Sequence, residues 1–198
     1  MKLKKFLACA ITCCAAFNAA AKDADSTTLS FHNVKTDESL VIRHTRGQPV
    51  SPETNHFMRD WRKNQPANID PRLLDLLVDL QSDIKARHPG LKITFEIICA
   101  FRNQQTNQML SDASAIRNGK NGKKGKPSQA GDSRHLYSQA FDLRIPGLPL
   151  KELRDRATCL KAGGVGYYPS TNDNFVHVDV GGVRYWPSRA YLPELKCD

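Results

Sequence analysis

The chain has 198 residues, of which 29 are lysine or arginine and 20 are aspartate or glutamate, so its formal net charge is +9 at pH 7. This length suits one domain with a buried core. The positive charge favours an anionic partner such as a cell-wall polymer or a membrane surface, and the lack of a recognisable nucleic-acid-binding motif argues against nucleic acid.

The first 21 residues have the pattern of a secretory signal peptide. Three lysines lie among the first five residues, residues 6–17 are apolar but too few to cross a bilayer, and residues 19–21 are alanines suited to cleavage before Lys22. No later segment is long and apolar enough to span a membrane. We therefore expect residues 22–198 to form an exported, periplasmic domain without stable membrane insertion.

Cleavage there would remove three lysines and three of the six cysteines, leaving 26 basic residues against 20 acidic ones and a net charge of +6. The remaining cysteines are Cys99, Cys159 and Cys197. An odd number in an oxidising compartment indicates one disulfide and one free thiol. Cys159 with Cys197 is one possible pair, and we expect Cys99, which has no evident basic partner, to be a buried structural thiol.

The predicted elements begin with a hairpin formed by strands over 29–34 and 39–43. Asp70 then caps a helix with Pro71 at its first position, and the apolar face of this helix recurs at helical spacing up to Ile84. The other predictions are a short helix over 55–62, a strand over 93–100, helices over 104–117 and 149–162, and strands over 140–145, 165–168 and 175–180. Without βαβ alternation, the class is α+β: a central antiparallel sheet flanked by helices.

Two segments carry the chemistry: Ser133-Arg-His-Leu-Tyr-Ser-Gln-Ala-Phe-Asp142 and Phe175-Val-His-Val-Asp179. Side chains at i and i+2 share one face of a strand, so His177 and Asp179 point into the same space. Asp142 alternates with apolar residues on its own predicted strand, where an unpaired carboxylate would be costly.

His135, Asp142 and His177 together match the ligand set of an open catalytic zinc site, in which three protein ligands leave the fourth position to water. Taken singly, His135 reads as a loop histidine and Asp142 as a partner of Arg144. Together they predict one Zn²⁺, because a set with a carboxylate and no thiolate suits a hydrolytic metal better than copper or iron.

The order Ser-x-His-x(6)-Asp and then His-x-Asp resembles the zinc peptidases that cut bacterial cell-wall peptides, a group that includes D-alanyl-D-alanine carboxypeptidases and shares its fold with the amino-terminal domain of hedgehog proteins. The closer resemblance is to murein endopeptidases of the MepK type. It covers nearly the whole mature chain, through residues 29–33, 55–62, 70–77, 101–102, 106–107, 133–142, 160–169, 175–181, 184 and 186.

This resemblance implies that His135, Asp142 and His177 bind zinc and that Arg102 lies over the substrate or the developing oxyanion. It also implies peptidoglycan as the substrate, and we expect a monomer. Ser133 is a candidate hydrogen-bond partner beside the first ligand. Some relatives carry a glutamate general base where this chain has Asn174.

The general base is therefore sought among other carboxylates. Asp179 is our candidate, either as the base or as a partner that orients His177, and Asp173 is the weaker alternative. The chain also has Ser138 where the family usually has glycine, and Cys99-Ala-Phe-Arg102 where it usually has Ser-Gly-Tyr-Arg. These departures bear on substrate preference, since all three ligand positions remain.

Two functions fit these observations. The first is a zinc endopeptidase that opens peptide cross-links in murein, favouring links between two diaminopimelate residues, with a carboxypeptidase as a variant of the same class. The second is a non-catalytic wall-binding protein that keeps zinc for structure.

Overall fold

A seven-stranded sheet in the order β2-β1-β3-β4-β6-β5-β7 organises the fold. The structure, a computed structural model, describes residues 26–120, 123–126, 131–186 and 195–197; the predicted signal peptide lies outside these residues. The strands are β1 (Ser26–Asn33), β2 (Glu38–Thr45), β3 (Phe95–Cys99), β4 (Ala140–Arg144), β5 (Gly164–Tyr168), β6 (Phe175–Asp179) and β7 (Arg184–Trp186).

Four helices and one short 3-10 helix connect the strands. They are α1 (Pro52–Phe57), α2 (Pro71–Arg87), α3 (Gln104–Arg117), the 3-10 helix Arg134–Tyr137 and α4 (Leu150–Leu160). Within the described residues, none is long and apolar enough to cross a membrane.

The predicted α+β class is confirmed, but the sheet is mixed rather than antiparallel throughout. β1 pairs with β3 in parallel. The chain reverses direction in β2 and then returns through α1 and α2, so that it enters β3 in the direction of β1. β7 pairs with β5 in parallel, since β6 runs against β5 and the Gly181-Gly182 turn reverses the chain once more. The strand β7 was not predicted from the sequence.

The short helix predicted over 55–62 begins and ends earlier, at Pro52 and Phe57. Ser51 caps it by accepting a hydrogen bond from the Thr54 amide, and Pro52 occupies the first turn. The helix over 104–117 is confirmed, and the ends of the other predicted elements shift by a few residues.

The core lies on the helix-covered face of the sheet. Leu73, Leu77, Leu80 and Ile84 of α2 are fully buried, and burying each such side chain is worth about 1.5–3 kcal/mol. α4 packs against α2, β5 and β6. Two cysteines, Cys159 and Cys197, form a disulfide, and Cys99 is free.

Candidate metal centre and cavity

The sheet lines up one row of residues on the face opposite the core. The strand registers place Cys99 opposite Asp142, Asp142 opposite His177, His177 opposite Gly166, and Gly166 opposite Trp186. Cross-strand partners lie about 5 Å apart with their side chains on one face. Their neighbours along the strands, including Leu143, Val176 and Val178, belong to the core instead.

The three predicted ligands converge within this row. His135 reaches it from the 3-10 helix just before β4. Its Nε2 lies 3.2 Å from Asp142 Oδ1 and 3.2 Å from His177 Nδ1, and His177 Nδ1 lies 2.8 Å from Asp142 Oδ1. All three residues are buried. We call this group the triad.

Hydrogen bonds on the far side of each imidazole fix which nitrogens face inward. His135 Nδ1 donates to the Ala100 carbonyl oxygen at 2.6 Å, and His177 Nε2 donates to Asp179 Oδ2 at 3.1 Å. In the neutral rings, the other two nitrogens then carry lone pairs. With both rings neutral, two lone pairs and a carboxylate oxygen meet at one point, an arrangement that suits a bound cation.

The spacing also fits zinc. Zn–N bonds of about 2.0–2.1 Å in tetrahedral geometry separate neighbouring ligand atoms by about 3.3 Å. Two of the triad distances, both 3.2 Å, are close to this value, and the third, 2.8 Å, is shorter.

Electrostatics tie His135 and Asp142 together. Burial alone would lower the pKa of His135, but the neighbouring Asp142 carboxylate raises it to about 10. Burial would likewise raise the pKa of Asp142, but the charge on His135 and hydrogen bonds from both histidines hold it well below its usual range. The carboxylate therefore stays ionised beside the imidazoles, as a metal ligand must.

Asp179 is fully buried on the far side of His177 from Asp142. It accepts hydrogen bonds from the Gly164 amide at 3.1 Å, the Gly181 amide at 2.8 Å and Arg184 Nη2 at 2.7 Å. Burial would raise the pKa of Asp179, but the hydrogen bond from His177 and those from the Gly181 and Gly164 amides lower it to about 2. Of the two roles expected of Asp179, this geometry favours orienting His177.

Cys99 lies closer to the triad than expected. It is partly exposed, and its Sγ, a nitrogen of His135 and a carboxylate oxygen of Asp142 all lie within 4.8 Å of one another. These three residues thus form an alternative metal-binding group. The sequence did not reveal this, because the register that pairs Cys99 with Asp142 depends on strands far apart in the chain.

A cavity of about 930 Å³ opens over the triad. Its charged lining includes four arginines and three aspartates: Arg102, Arg117, Arg134, Arg184, Asp132, Asp142 and Asp173. Asp173 is already paired, since both of its oxygens accept from Lys35 Nζ at 2.8 Å.

Arg102 presents an uncompensated charge to this cavity. It is only 9% exposed, and its Nη2 donates to Ser133 Oγ at 2.8 Å. Within the described residues its Nε has no hydrogen-bond partner and its guanidinium forms no ion pair. The Ser133 hydroxyl therefore binds Arg102 and, within the described residues, neither histidine of the triad.

A family model described as Peptidoglycan L,D-endopeptidase MepK matches residues 20–186. The chain belongs to this family. It is 34% identical to the probable peptidoglycan L,D-endopeptidase MepK of Haemophilus influenzae over 162 residues, and this alignment covers 80% of this chain and 77% of the relative. It is 35% identical over 162 residues to the peptidoglycan L,D-endopeptidases MepK of Escherichia coli K12 and Shigella flexneri, covering 80% of this chain and 79% of each. No solved structure is significantly similar.

One departure from the MepK-type pattern has a visible backbone consequence. Ser138 has φ 55°, in the left-handed region that favours glycine. Its carbonyl accepts from the Asp70 amide at 3.1 Å and its Oγ from the Asn68 amide at 3.3 Å. These contacts hold the serine in place between His135 and β4.

Proposed function

We propose that this protein is a zinc-dependent peptidoglycan endopeptidase that works in the periplasm and hydrolyses peptide cross-links of murein, with links between two diaminopimelate residues as the preferred substrate. The convergence of three metal-binding atoms beneath a cavity supports the chemistry. The names of its relatives, peptidoglycan L,D-endopeptidases, support the substrate.

His135, Asp142 and His177 would hold the metal, with the Ala100 carbonyl and Asp179 orienting the two imidazoles. Zinc bound there supplies a Lewis acid and lowers the pKa of water to about 7. The triad contributes two neutral ligands and one anionic ligand, so one positive charge remains at the centre.

Arg102 would stabilise negative charge on the substrate. Its guanidinium has no competing carboxylate within the described residues and is largely shielded from water, which strengthens its interaction with a developing oxyanion. This arrangement favours an enzyme over the alternative, a wall-binding protein with structural zinc, because a structural site has no use for an unpaired cation beside the metal.

The deciding experiment is digestion of purified peptidoglycan with and without a chelator, followed by separation and mass analysis of the fragments. We expect chelator-sensitive loss of dimeric cross-linked peptides. Release of single terminal residues would identify a carboxypeptidase instead. Binding to the wall without any new fragment would support the structural alternative.

Export has its own test. The mature protein should begin near Lys22 and be recovered from the periplasmic fraction. Sequencing the amino terminus of the native protein measures this, and an intact Met1 on most molecules would contradict it.

A further inference from the structure

Trp186 reaches across the sheet to the metal centre because position 166 is a glycine. A Cβ added at Gly166 would fall 2.5–2.6 Å from the Trp186 indole, a distance that real Cβ atoms essentially never show. The missing side chain lets the indole lie in the row of metal-centre residues. Its ring centroid is 5.1 Å from that of His177.

From this position Trp186 donates a hydrogen bond to the Tyr168 hydroxyl and so restricts the direction of the hydroxyl proton. Trp186 Nε1 lies 2.7 Å from Tyr168 Oη. An indole N–H can only donate, so the Tyr168 oxygen accepts, and its own proton must point elsewhere. Within the described part of the chain, no side chain or carbonyl accepts that proton.

Tyr168 faces the cavity. Tyr168 is two residues after Gly166 on β5, so its side chain leaves the same face of the sheet as His177. It lines the cavity together with Arg102 and the triad. Its ring stacks on Phe175, with centroids 4.6 Å apart and planes at 26°, which fixes its direction.

Tyr168 and Arg102 approach the triad from different sides. Arg102 follows β3 at one side of the row, and Tyr168 ends β5 on the other, beyond β4 and β6. Burial raises the pKa of Tyr168 above its ordinary value, so the hydroxyl keeps its proton at neutral pH.

We propose that Tyr168 is a second hydrogen-bond donor of the catalytic centre, which donates to the scissile carbonyl oxygen of a peptide substrate as that oxygen gains negative charge, and that Trp186 is the positioning residue that aims this donor. This inference rests on the proposed peptidase function. No bond to the tyrosine forms or breaks, and the hydroxyl proton stays on Tyr168.

The first test compares two tyrosines that are adjacent in sequence. Tyr168→Phe removes the hydroxyl but keeps the stacked ring, and we expect kcat to fall about 10²-fold, as for loss of one oxyanion donor, with KM little changed and zinc content equal to wild type. Tyr167→Phe is the matched control. Tyr167 packs on the core and under the Arg154 guanidinium, 4.8 Å from its ring centroid, so kcat should not change.

The second test separates aiming from packing. Trp186→Phe keeps an aromatic ring over Gly166 but removes the N–H, so the Tyr168 hydroxyl is free to rotate and kcat should fall. The double variant Tyr168→Phe/Trp186→Phe should be no slower than Tyr168→Phe alone, because the indole acts through a hydroxyl that is already gone.

Each result has a defined meaning. Unchanged kcat in a zinc-replete Tyr168→Phe protein would overturn the inference, as would loss of zinc from that variant, which would reveal a packing role. Multiplied losses in the double variant would overturn the positioning role of Trp186. Wild-type protein that retains zinc but cleaves no peptide would overturn the proposed function, and the inference with it.

Discussion

The orientation of each triad imidazole depends on one acceptor outside the cluster. A backbone carbonyl, that of Ala100, holds His135, whereas a buried carboxylate, that of Asp179, holds His177. The first acceptor cannot be removed by a side-chain substitution, but the second can. The two histidines therefore differ in how readily a side-chain substitution could disturb the candidate metal centre.

The two possible ligand sets can be separated by substitution. His135→Ala and His177→Ala should each lose the bound zinc, because two remaining ligands do not hold it. Cys99→Ser should keep one zinc per chain, since the triad is intact. Metal analysis of the purified proteins measures this. Zinc retained by His177→Ala but lost from Cys99→Ser would assign the metal to Cys99, His135 and Asp142 instead.

Asp179→Asn distinguishes orientation from base catalysis. If Asp179 orients His177, zinc affinity should fall about 10–100-fold while the fully loaded variant keeps most of its rate. Arg102→Ala serves as the converse control, because it should keep zinc and lose about 10²–10³-fold in rate. Zinc titrations combined with hydrolysis rates at saturating metal give both quantities. Undiminished affinity with lost turnover in Asp179→Asn would restore Asp179 as the base.

Chemistry at this scale could be predicted wherever it follows from residue type and short spacing. His135 and Asp142 lie seven residues apart, and His177 was added to them as a predicted ligand from its residue type and the family resemblance; the proximity of His177 and Asp179 followed from strand alternation. Cys99 and Tyr168 were missed, because their places depend on cross-strand register. For Cys99 that register joins segments more than 30 residues apart, and no local pattern encodes it. For Tyr168 the pairing is local, but its contact with Trp186 depends on the unpredicted strand β7.

Among the elements, α2 is hydrogen-bonded to the residues that follow the 3-10 helix of His135. Its N-cap, Asp70, accepts from the Arg72 amide at 3.1 Å and from Gln139 Nε2 at 3.2 Å. The Asp70 amide in turn donates to the Ser138 carbonyl oxygen. Asp70 thus caps α2 and also holds, by hydrogen bonds, the two residues that follow the 3-10 helix.

Asp70→Ala should lower the free energy of unfolding by about 1 kcal/mol at neutral pH. A hydrogen bond from Arg72 lowers the pKa of Asp70, against a smaller opposing effect of burial. A carboxylate whose pKa is lowered by folding stabilises the fold at pH values above its unfolded-state pKa, which is near 4 for aspartate. This contribution is lost as the pH falls below that value and the carboxylate becomes protonated. The difference between wild type and variant should therefore shrink towards pH 3.

Denaturant titrations at both pH values measure this difference. Asp79→Ala is the control on the same helix: its carboxylate pairs with Arg46 at the surface, and both side chains are nearly half exposed. It should cost less than about 1 kcal/mol. An Asp70→Ala effect that is equal at pH 7 and pH 3 would contradict the ionic contribution.

Element types were easier to predict than their arrangement. The capped, apolar-faced α2 and the hairpin carry local signals, and both are present. The early start of α1 also has a local signal, because Ser51 is a favoured capping residue and Pro52 a favoured first helical residue, but we predicted a later start. The parallel β5–β7 pair has no such local signal. The three residues of β7 show little periodicity, and the turn at Gly181-Gly182 determines which strand they pair with.

At the scale of the whole molecule, a single covalent bond ties the carboxyl-terminal residues to the core. Cys159 near the end of α4 joins Cys197 across 38 residues, and Arg156 Nη2 donates to the Lys196 carbonyl oxygen beside it. Closing a loop of that length is worth about 4 kcal/mol in the chain-entropy model.

Replacing both cysteines, in Cys159→Ser/Cys197→Ser, should lower the free energy of unfolding by up to about 4 kcal/mol. Cys99→Ser controls for loss of a thiol outside the bridge and should change stability far less. Thermal and denaturant unfolding of the three proteins measure the effect. Equal midpoints for wild type and the double variant would show that the bridge contributes nothing.

The residues that meet at the row across the sheet are synthesised at different times, in the order in which they occur in the chain. Arg102 is made first, then His135 and Asp142, and only afterwards His177 and Trp186, on strands that pair with β4 and β5. A chain that emerges amino terminus first can fold β1, β2 and α2 while the ligand set is still incomplete. The predicted ligand set is thus incomplete until His177, the last of the three in chain order, has been made.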